Sequence, residues 1–368
     1  MAELIYSSIF GDLTKNVQVR FDAVSELGKK LFDNVQFEKY LDWDTPTIGL
    51  TFEELVGQYN ISVAAPTIGD SSKEAIMGSE GMQTLSEKVL NHAITRPMTI
   101  QNYRKILSLL DSKSIDDKAK TQALVNLMWG EVTSVVESVN GKIDLLFLRA
   151  LSNCGIVDLD DTTNPEGGVK GRIDYKQPSE NIASATTQWT DGNIDSVDCF
   201  GDIQSIIDAA QDKVVFGKIL LSPSMLSYIC RSKKIKQMLW GSDKSAQLVQ
   251  LRDLNDYMQS NNLPIFETVR RQVRIQKGQS KTPYSPWNEK NLVFIPDGKL
   301  GVVKNAYANN ELKEEPGVSY SNYGRIRVSQ WGVGETQGSN GVEFTKAECF
   351  ALPVITEMNG IYTLKAQQ

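Results

Sequence analysis

The sequence has only one histidine, His92, among its 368 residues. A Ser-His-Asp or Cys-His catalytic arrangement would have to use this side chain, and a zinc site built on several imidazoles is excluded. His92 lies in an alternating stretch, residues 89–94, of the kind that forms a β-strand. We therefore predict a structural role for His92, and the composition argues against most hydrolytic chemistry.

Phosphate-binding and membrane-spanning patterns are also missing. No segment matches the P-loop pattern G-x-x-x-x-G-K-[ST], and residues 332–338 have one residue too many for G-x-G-x-x-G, which predicts a flexible loop. No apolar run is long enough to cross a bilayer, and residues 1–12 contain Glu3 and Asp12 in place of a basic region followed by an apolar one. The expected protein is soluble and carries no export signal.

Cysteine is scarce, and its positions are scattered. Cys154, Cys199, Cys230 and Cys349 lie far apart and show no C-x-x-C spacing. This distribution favours reduced thiols in a cytosol over a disulfide framework. We expect the four side chains to act as small buried apolar groups.

The charge balance excludes a protein that neutralises many phosphates. The chain has 39 Lys and Arg against 45 Asp and Glu, a net charge of −6, and no Arg-rich arm at either end. The local exception is the basic stretch Arg231–Lys236. On a helix its charges spread over more than one face, so we predict a solvated or subunit-facing surface there.

One stretch resembles an enzymatic motif. Asp158-Leu159-Asp160-Asp161-Thr162 matches the D-x-D-x-T signature of haloacid-dehalogenase-like phosphatases, in which the first Asp attacks phosphorus and the second acts as acid and base beside Mg²⁺. That chemistry requires a loop that leaves a buried parallel strand. Here a long amphipathic helix precedes the motif and a turn follows it, so a solvated acidic loop is the better interpretation. The same oxygens could suit calcium, but the EF-hand pattern is absent.

The first half of the chain predicts two helices and a long hairpin. Residues 14–32 have apolar side chains at spacings of three and four, which indicates a short amphipathic helix. Two strand-like runs, 60–68 and 83–95, flank a polar, glycine-rich middle at 69–81, which predicts a hairpin with a mobile tip. Residues 115–153 form one apolar helical stripe, about 60 Å long, with Gly155 able to end it.

The second half predicts alternating helices and strands. The predicted helices are residues 198–212, 224–240 and 245–260, and the predicted strands are 169–175, 183–189, 214–221, 265–276, 291–295, 325–330, 343–352 and 360–366. No internal repeat is present. This order indicates an α+β protein with an inserted domain.

Several segments in the second half carry a family resemblance through their order and spacing. They are Val214–Pro223 with the helix after it, Leu251–Met258, Asn261–Ile265, the basic hairpin Arg270–Lys281, and Trp287–Gly301. In this order they resemble the major capsid proteins of tailed bacteriophages, in particular the lambda-like protein E family with the HK97 fold. The similarity extends more weakly over almost the whole chain.

The resemblance implies a division of the chain. The expected parts are an N-terminal arm at 1–46, an extended loop (E-loop) region at 47–100, a peripheral domain at 101–195 with a spine helix at 115–153, an axial domain at 196–328, and C-terminal strands at 329–368 that return to the peripheral domain. The loop tip would contact the adjacent subunit through Lys73, Glu74, Ile76 and Met77. Lys73 lies where a crosslinking lysine could, but no pattern specific to the crosslinking branch is present, and we expect an ordinary surface lysine.

The function implied by the resemblance is structural. We expect a virion protein without enzymatic activity, cofactor or metal that self-assembles into hexamers and pentamers of an icosahedral shell around phage double-stranded DNA. It would enclose the DNA without sequence-specific binding. The chain would be made in the host bacterial cytoplasm, with possible scaffolding, portal and decoration proteins as separate partners, since about 45 residues precede the loop region and already account for the arm. The alternatives are an encapsulin-like nanocompartment, the phosphatase with Asp158 and Asp160, and a tail or portal protein.

Overall fold

The computed structural model describes residues 4–5, 34–56, 83–98, 100–111, 116–165, 168–241, 247–278, 280–333 and 343–367. The predicted helix at 14–32 and the polar middle of the predicted hairpin lie outside these residues. No described helix combines the length and the apolar character that a membrane crossing requires.

One long helix dominates the helical part of the described chain. The helices are α1 (Phe37–Tyr40), α2 (Ile100–Asp111), α3 (Asp117–Ser152), α4 (Cys199–Ala210), α5 (Pro223–Arg231), α6 (Lys233–Trp240), α7 (Leu251–Ser260) and α8 (Asn309–Leu312). The 36 residues of α3 confirm the predicted long helix and span about 54 Å. The helix α3 ends at Ser152, and the predicted terminator Gly155 closes its end: the φ of Gly155 is 74°, which suits glycine, and its N–H donates to the carbonyl of Ala150.

The strands form two larger sheets and three two-stranded ribbons. They are β1 (Leu4–Ile5), β2 (Leu41–Trp43), β3 (Thr51–Val56), β4 (Gln83–Lys88), β5 (Leu90–Pro97), β6 (Ile156–Leu159), β7 (Gly171–Asp174), β8 (Ile182–Ser184), β9 (Phe216–Leu221), β10 (Ile265–Thr268), β11 (Val273–Lys277), β12 (Ser280–Tyr284), β13 (Asn291–Pro296), β14 (Gly301–Ala306), β15 (Ser319–Tyr323), β16 (Ile326–Val333), β17 (Glu343–Ile355) and β18 (Tyr362–Lys365).

The seven-stranded sheet packs against the long helix. Its order is β1-β16-β17-β14-β2, with β15 beside β16 and β5 beside β17. The buried side of α3, including Val136, Ile143 and Phe147, shares the first hydrophobic core with side chains of β17 such as Leu352 and Val354. Burial of this apolar stripe stabilises the long helix, since helical stability in proteins comes mainly from packing of an amphipathic face.

The five-stranded sheet has its own core. Its order is β10-β9-β13-β18-β8, in which β10 and β9 run parallel, as do β18 and β8. Apolar residues of α4, α5, α6 and α7 cover one face, and this second core includes Ile203, Ile229, Ile235 and Leu254. The structure is therefore α+β with two cores, as the sequence predicts.

Sheet membership differs from the predicted division in three ways. The strand β8, within the predicted peripheral segment 101–195, lies in the five-stranded sheet beside β18. The strand β18, expected to return to the peripheral domain, lies in the five-stranded sheet between β13 and β8. Conversely, β14 and β15, within the predicted axial segment 196–328, belong to the seven-stranded sheet. The limits at 195/196 and 328/329 therefore do not coincide with sheet boundaries, and the division into domains stays a prediction.

Several predicted elements are shorter or interrupted. The predicted helix 224–240 breaks at Ser232, whose ψ of 128° is extended and whose N–H is bonded to the carbonyls of Tyr228 and Ile229. The predicted helix 245–260 begins at Leu251, where a capping box forms between Gln250 and Asp253. The predicted strand 265–276 divides into β10 and β11. The strand β6 was not predicted.

Candidate functional site

The predicted contact residues Lys73, Glu74, Ile76 and Met77 lie outside the described residues. The ribbon β3–β4, which leads into and out of that segment, is described. It is antiparallel, with Val56 opposite Gln83 and Thr51 opposite Lys88. These two strands are the base from which the predicted loop would extend.

An ion-paired cluster fixes this ribbon to the seven-stranded sheet. Nζ of Lys304 on β14 lies 2.7 Å from a carboxylate oxygen of Asp44 and 2.5 Å from one of Glu54 on β3. Burial alone would lower the pKa of Lys304, but its hydrogen bonds to the two carboxylates outweigh burial and raise that pKa above its ordinary value. The base of the loop region is therefore held in one position.

A buried carboxylate on the long helix organises a second junction. Oδ1 of Asp144 accepts the backbone N–H groups of Gln36 at 2.8 Å and Phe37 at 2.9 Å. Oδ2 lies 2.8 Å from Nε of Arg271, just before β11. Asp144 thus takes the place of an N-cap for α1, whose own Gln36 side chain makes no capping bond. Burial raises the pKa of Asp144 to about 6, against the opposing effect of these three partners.

Sequence reasoning missed Asp144, although a signal was present. The residue interrupts the apolar run Ile143-Asp144-Leu145-Leu146-Phe147-Leu148. An acid in such a run is buried, and a buried charge requires a partner. The partner Arg271 could not be identified, because the pairing depends on how the chain folds back over α3.

His92 has the structural role that the sequence predicts. It lies on β5, opposite Cys349 of β17, and its Nε2 is 3.0 Å from the carbonyl oxygen of Ala351. Burial first, and then the charge of Lys142, lower the pKa of His92 to about 4. The imidazole is therefore neutral at physiological pH.

The D-x-D-x-T stretch lacks the geometry of a phosphatase. Asp158 lies on β6, which pairs with β7 in an antiparallel two-stranded ribbon and not in a buried parallel sheet. Oδ1 of Asp160 accepts hydrogen bonds from the backbone N–H and the hydroxyl of Thr162 and of Thr163. Those bonds hold the pKa of Asp160 far below its usual value. Within the described residues, no cluster of His, Cys, Asp or Glu could hold a metal ion.

The acidic turn is attached to the long helix by a lysine. Nζ of Lys142 donates to the carbonyl of Thr163 at 2.7 Å and to Oδ1 of Asn164 at 3.2 Å. Burial, with the nearby charge of Lys170, lowers the pKa of Lys142 to about 8. The turn is therefore a structural connection between β6 and α3.

The basic stretch Arg231–Lys236 faces acids of its own chain. Arg231 lies 2.7 Å from a carboxylate oxygen of Asp191, and Lys234 lies 3.4 Å from one of Asp198. Both cations are about half exposed. The stretch is a solvated surface with local ion pairs, in agreement with the prediction.

The fold is similar to solved structures of phage capsid proteins. A protein assigned as the capsid protein of a prophage of Escherichia coli CFT073 has a TM-score of 0.55 and 14% identity, with 99% of each chain covered. A phage-related protein from Bordetella bronchiseptica RB50 has a TM-score of 0.45 and 11% identity, over 99% of this chain and 98% of that one. For the mature capsid of bacteriophage PhiM1 the values are 0.42 and 9%, over 90% and 87%. The fold is the mixed helix and sheet fold of HK97-type capsid proteins.

A sequence comparison with a protein-family model agrees with this similarity. Curated proteins gave no match. The family model of phage major capsid protein E matches residues 63–366, most of the chain, and this confirms the resemblance derived from the sequence. The chain therefore belongs to the phage major capsid protein E family and is a major capsid protein that forms the shell of a phage particle.

Proposed function

We propose that this chain forms pentamers and hexamers that close an icosahedral shell around double-stranded phage DNA, and that it has no catalytic activity of its own. The observation that carries the proposal is the family match over residues 63–366. The long helix supports the proposal, since a helix of about 54 Å suits an extended subunit that contacts several neighbours. Contacts repeated by rotation close rings, and contacts between rings build the lattice.

The DNA is the content of the shell and not its assembly template. A net charge of −6 gives the subunit no large gain from counterion release, so attraction to phosphates is a minor term in assembly. No base-reading element is required. Any scaffolding, portal or decoration protein is a separate partner of this chain, and synthesis takes place in the host bacterial cytoplasm.

The loop tip is part of the same proposal. Lys73, Glu74, Ile76 and Met77 contact the adjacent subunit of the capsomer, and Ile76 and Met77 supply the apolar part of that contact. The base of the loop supports this arrangement, because the Lys304 cluster fixes the direction of β3 and β4. Protease should cut the free chain near Lys73, whereas assembled shells should resist.

The experiment that tests the function is expression of the full chain, with a scaffolding protein if one is needed, in nuclease-treated extracts. Closed empty shells in sedimentation and negative-stain images are expected. Particles that form only with nucleic acid would contradict passive enclosure. A protein cargo copurifying with the shells would indicate the encapsulin-like alternative, and tubes or single rings would indicate a tail or portal protein.

A further inference from the structure

The ribbon β11–β12 carries a segregated positive charge. Residues 268–288 contain five Lys and Arg and no Asp or Glu, in a chain whose net charge is −6. The two strands pair only with each other, from Val273 opposite Tyr284 to Lys277 opposite Ser280. The ribbon is therefore a projection from the two large sheets with one sign of charge.

The charges have a defined direction because side chains alternate along the strand. Val273 and Ile275 are half-buried and pack against the first core, and Arg271 pairs with Asp144 at the base. Arg274 on the opposite face of the strand is exposed, and so is Arg270, which precedes β11. The ribbon therefore has an inner face, which packs against the first core, and an outer face, which points away from it.

The strand register adds a third cation to this outer face. Lys281 lies opposite Gln276, and Pro283 lies opposite Arg274, so Lys281 and Arg274 are diagonal neighbours. We define the outer face by its cations Arg270, Arg274 and Lys281. None of the three is in an ion pair with another described residue. Lys277 at the ribbon end differs, because the pKa of Asp161 is lowered first by the bonded Lys170 and then by the charge of Lys277.

A surface of opposite charge lies around α4, which covers the five-stranded sheet. Residues 191–212 contain six Asp and no Lys or Arg. Of these, Asp202 is buried and bonded to Trp189, and two others pair with Arg231 and Lys234. The acids left exposed at the end of α4 are Asp208 and Asp212, while the next cation, Lys213, pairs with Glu180.

The position of these two acids is unfavourable for the helix itself. Asp208 lies in the last turn of α4 and Asp212 just beyond it, and no basic residue occupies that turn. The helix dipole favours cations at this end and disfavours carboxylates. Within the helix, Oδ1 of Asp208 accepts a hydrogen bond from Nε2 of Gln204 at 2.8 Å, which does not neutralise its charge. A role outside the helix accounts for two charged acids at these positions, and no ion pair joins them to the outer face within the described chain.

We propose that the outer face of β11–β12 in one copy docks on Asp208 and Asp212 at the end of α4 in an adjacent copy. The contact is heterologous, since two different surfaces meet, and such contacts repeat around a ring or through a lattice. It rests on the proposed shell function and names a contact within that assembly. Exposed charge pairs are weak singly and screened by salt, so the contact acts through repetition and through orientation of the copies.

A second copy fits this surface better than nucleic acid does. The outer face has three cations, and a surface that neutralises so few phosphates gains little affinity for double-stranded DNA from counterion release. The matching acids are present in the same chain. Each copy of the chain carries one basic and one acidic surface, so the two surfaces are present in equal numbers, as a self-assembling contact requires.

Charge reversal and its rescue test the contact in the full chain. Arg274→Glu with Lys281→Glu should lower the fraction of chain in particles at least tenfold, and so should Asp208→Lys with Asp212→Lys. The four substitutions together should restore assembly to within about twofold of wild type, because the pairs re-form with exchanged signs. Lys233→Glu with Lys313→Glu, both exposed and in no ion pair with another described residue, is the matched control for net charge and should assemble normally.

Sedimentation at several salt concentrations, with thermal unfolding of each unassembled variant, provides the readout. The proposal is overturned if the ribbon variant, Arg274→Glu with Lys281→Glu, assembles like wild type. It is also overturned if the variant with all four substitutions folds normally but does not regain assembly. A loss of wild-type particles on nuclease treatment, without rescue, would identify a nucleic-acid surface instead and would also overturn it.

Failure of the shell function itself has a different signature. Wild-type chain that forms no particles under any condition would refute the function. In that case, the contact would still be supported if wild-type chain formed small oligomers that were absent from the ribbon variant and present again in the variant with all four substitutions. Wild-type chain that remains monomeric at low salt would overturn it.

Discussion

Asp144 and Arg271 form an ion pair at 2.8 Å in which the carboxylate is completely buried and the guanidinium is 17% exposed. Because Asp144 also accepts the N–H groups of Gln36 and Phe37, one side chain of the long helix joins the start of α1 to the base of the basic ribbon. Two elements are therefore attached to the same residue of α3. One is the helix α1, and the other is the ribbon β11–β12 that we propose as a contact surface.

Removal of Arg271 should destabilise the subunit in a pH-dependent way. Arg271→Met leaves Asp144 as an uncompensated buried charge, which costs about 3 kcal/mol of unfolding free energy at pH 7. At pH 5 the loss should be smaller, because the carboxyl can take up a proton. Denaturant unfolding at both pH values measures this, with exposed Arg270→Met as the control. Equal losses at the two pH values would show that Asp144 stays ionised.

The pKa of Asp144 is about 6 in the folded chain and 3.8 for an unperturbed aspartate side chain. Between these values the folded state binds more protons, so the contribution of Asp144 to stability falls as the pH rises through this window. The change is on the order of 2–3 kcal/mol. Asp144→Asn should remove it, and an unchanged pH profile in that variant would contradict the assignment.

The sole histidine offers a direct measurement of a second buried group. Burial lowers the pKa of His92 to about 4 in the folded chain, against 6.5 for an unperturbed histidine side chain. The unfolded state binds the extra proton here, so His92 reduces stability as the pH falls from 6.5 towards 4. In NMR its single imidazole signal should not titrate above pH 5.5 in the native chain and should titrate near 6.5 in denaturant. A native midpoint near 6.5 would show an exposed ring.

The sequence was sufficient for the long helix and for the buried strands but not for their partners. The prediction of α3 depends on apolar residues three and four positions apart, and this spacing can be read directly from one sequence. By contrast, residues 360–366 predict a strand without indicating a sheet, and only the fold places β18 between β13 and β8. Pairing partners depend on contacts between distant segments, for which one sequence contains no direct signal.

The candidate surfaces show the same limit. The basic hairpin 270–281 could be recognised from its composition, and Asp144 could have been flagged by the apolar residues on both sides of it. The direction of Arg274 and the anchoring of Arg271 required the register of β11 and β12. The strand β6 was missed because it is short and lies between a helix and an acidic turn that has its own strong turn signals.

The acidic turn should respond to substitution as a structural element. Asp160→Ala removes the acceptor of the Thr162 and Thr163 N–H groups and should cost about 1 kcal/mol of stability, seen as a lower melting temperature. Asp161→Ala, whose carboxylate is fully exposed, serves as the control and should leave the melting temperature close to wild type. Asp158→Asn should leave any phosphate-ester hydrolysis at the background level of wild type. A metal-dependent activity lost in Asp158→Asn would revive the phosphatase interpretation.

The start of β14 should be intolerant of any side chain. A Cβ added at Gly301 would overlap the carbonyl oxygen of Val354 and lie 2.8 Å from the backbone nitrogen of Thr356, and neither backbone atom can rotate away as a side chain could. These atoms lie at the end of β17, where Gly301 at the start of β14 pairs with Ile355. Gly301→Ala should therefore lower the unfolding free energy by about 2 kcal/mol or more through a forced backbone shift.

Gly171 in β7 provides the matched control for this change. A Cβ added there meets nothing within 4 Å, and Gly171 itself is exposed at the end of a two-stranded ribbon. Gly171→Ala should be neutral or slightly stabilising, because alanine reduces the conformational freedom of the unfolded chain. Urea unfolding of both variants gives the comparison. Equal midpoints would mean that β14 and β17 separate at Gly301 without cost, and the register of the central sheet would then have to be revised.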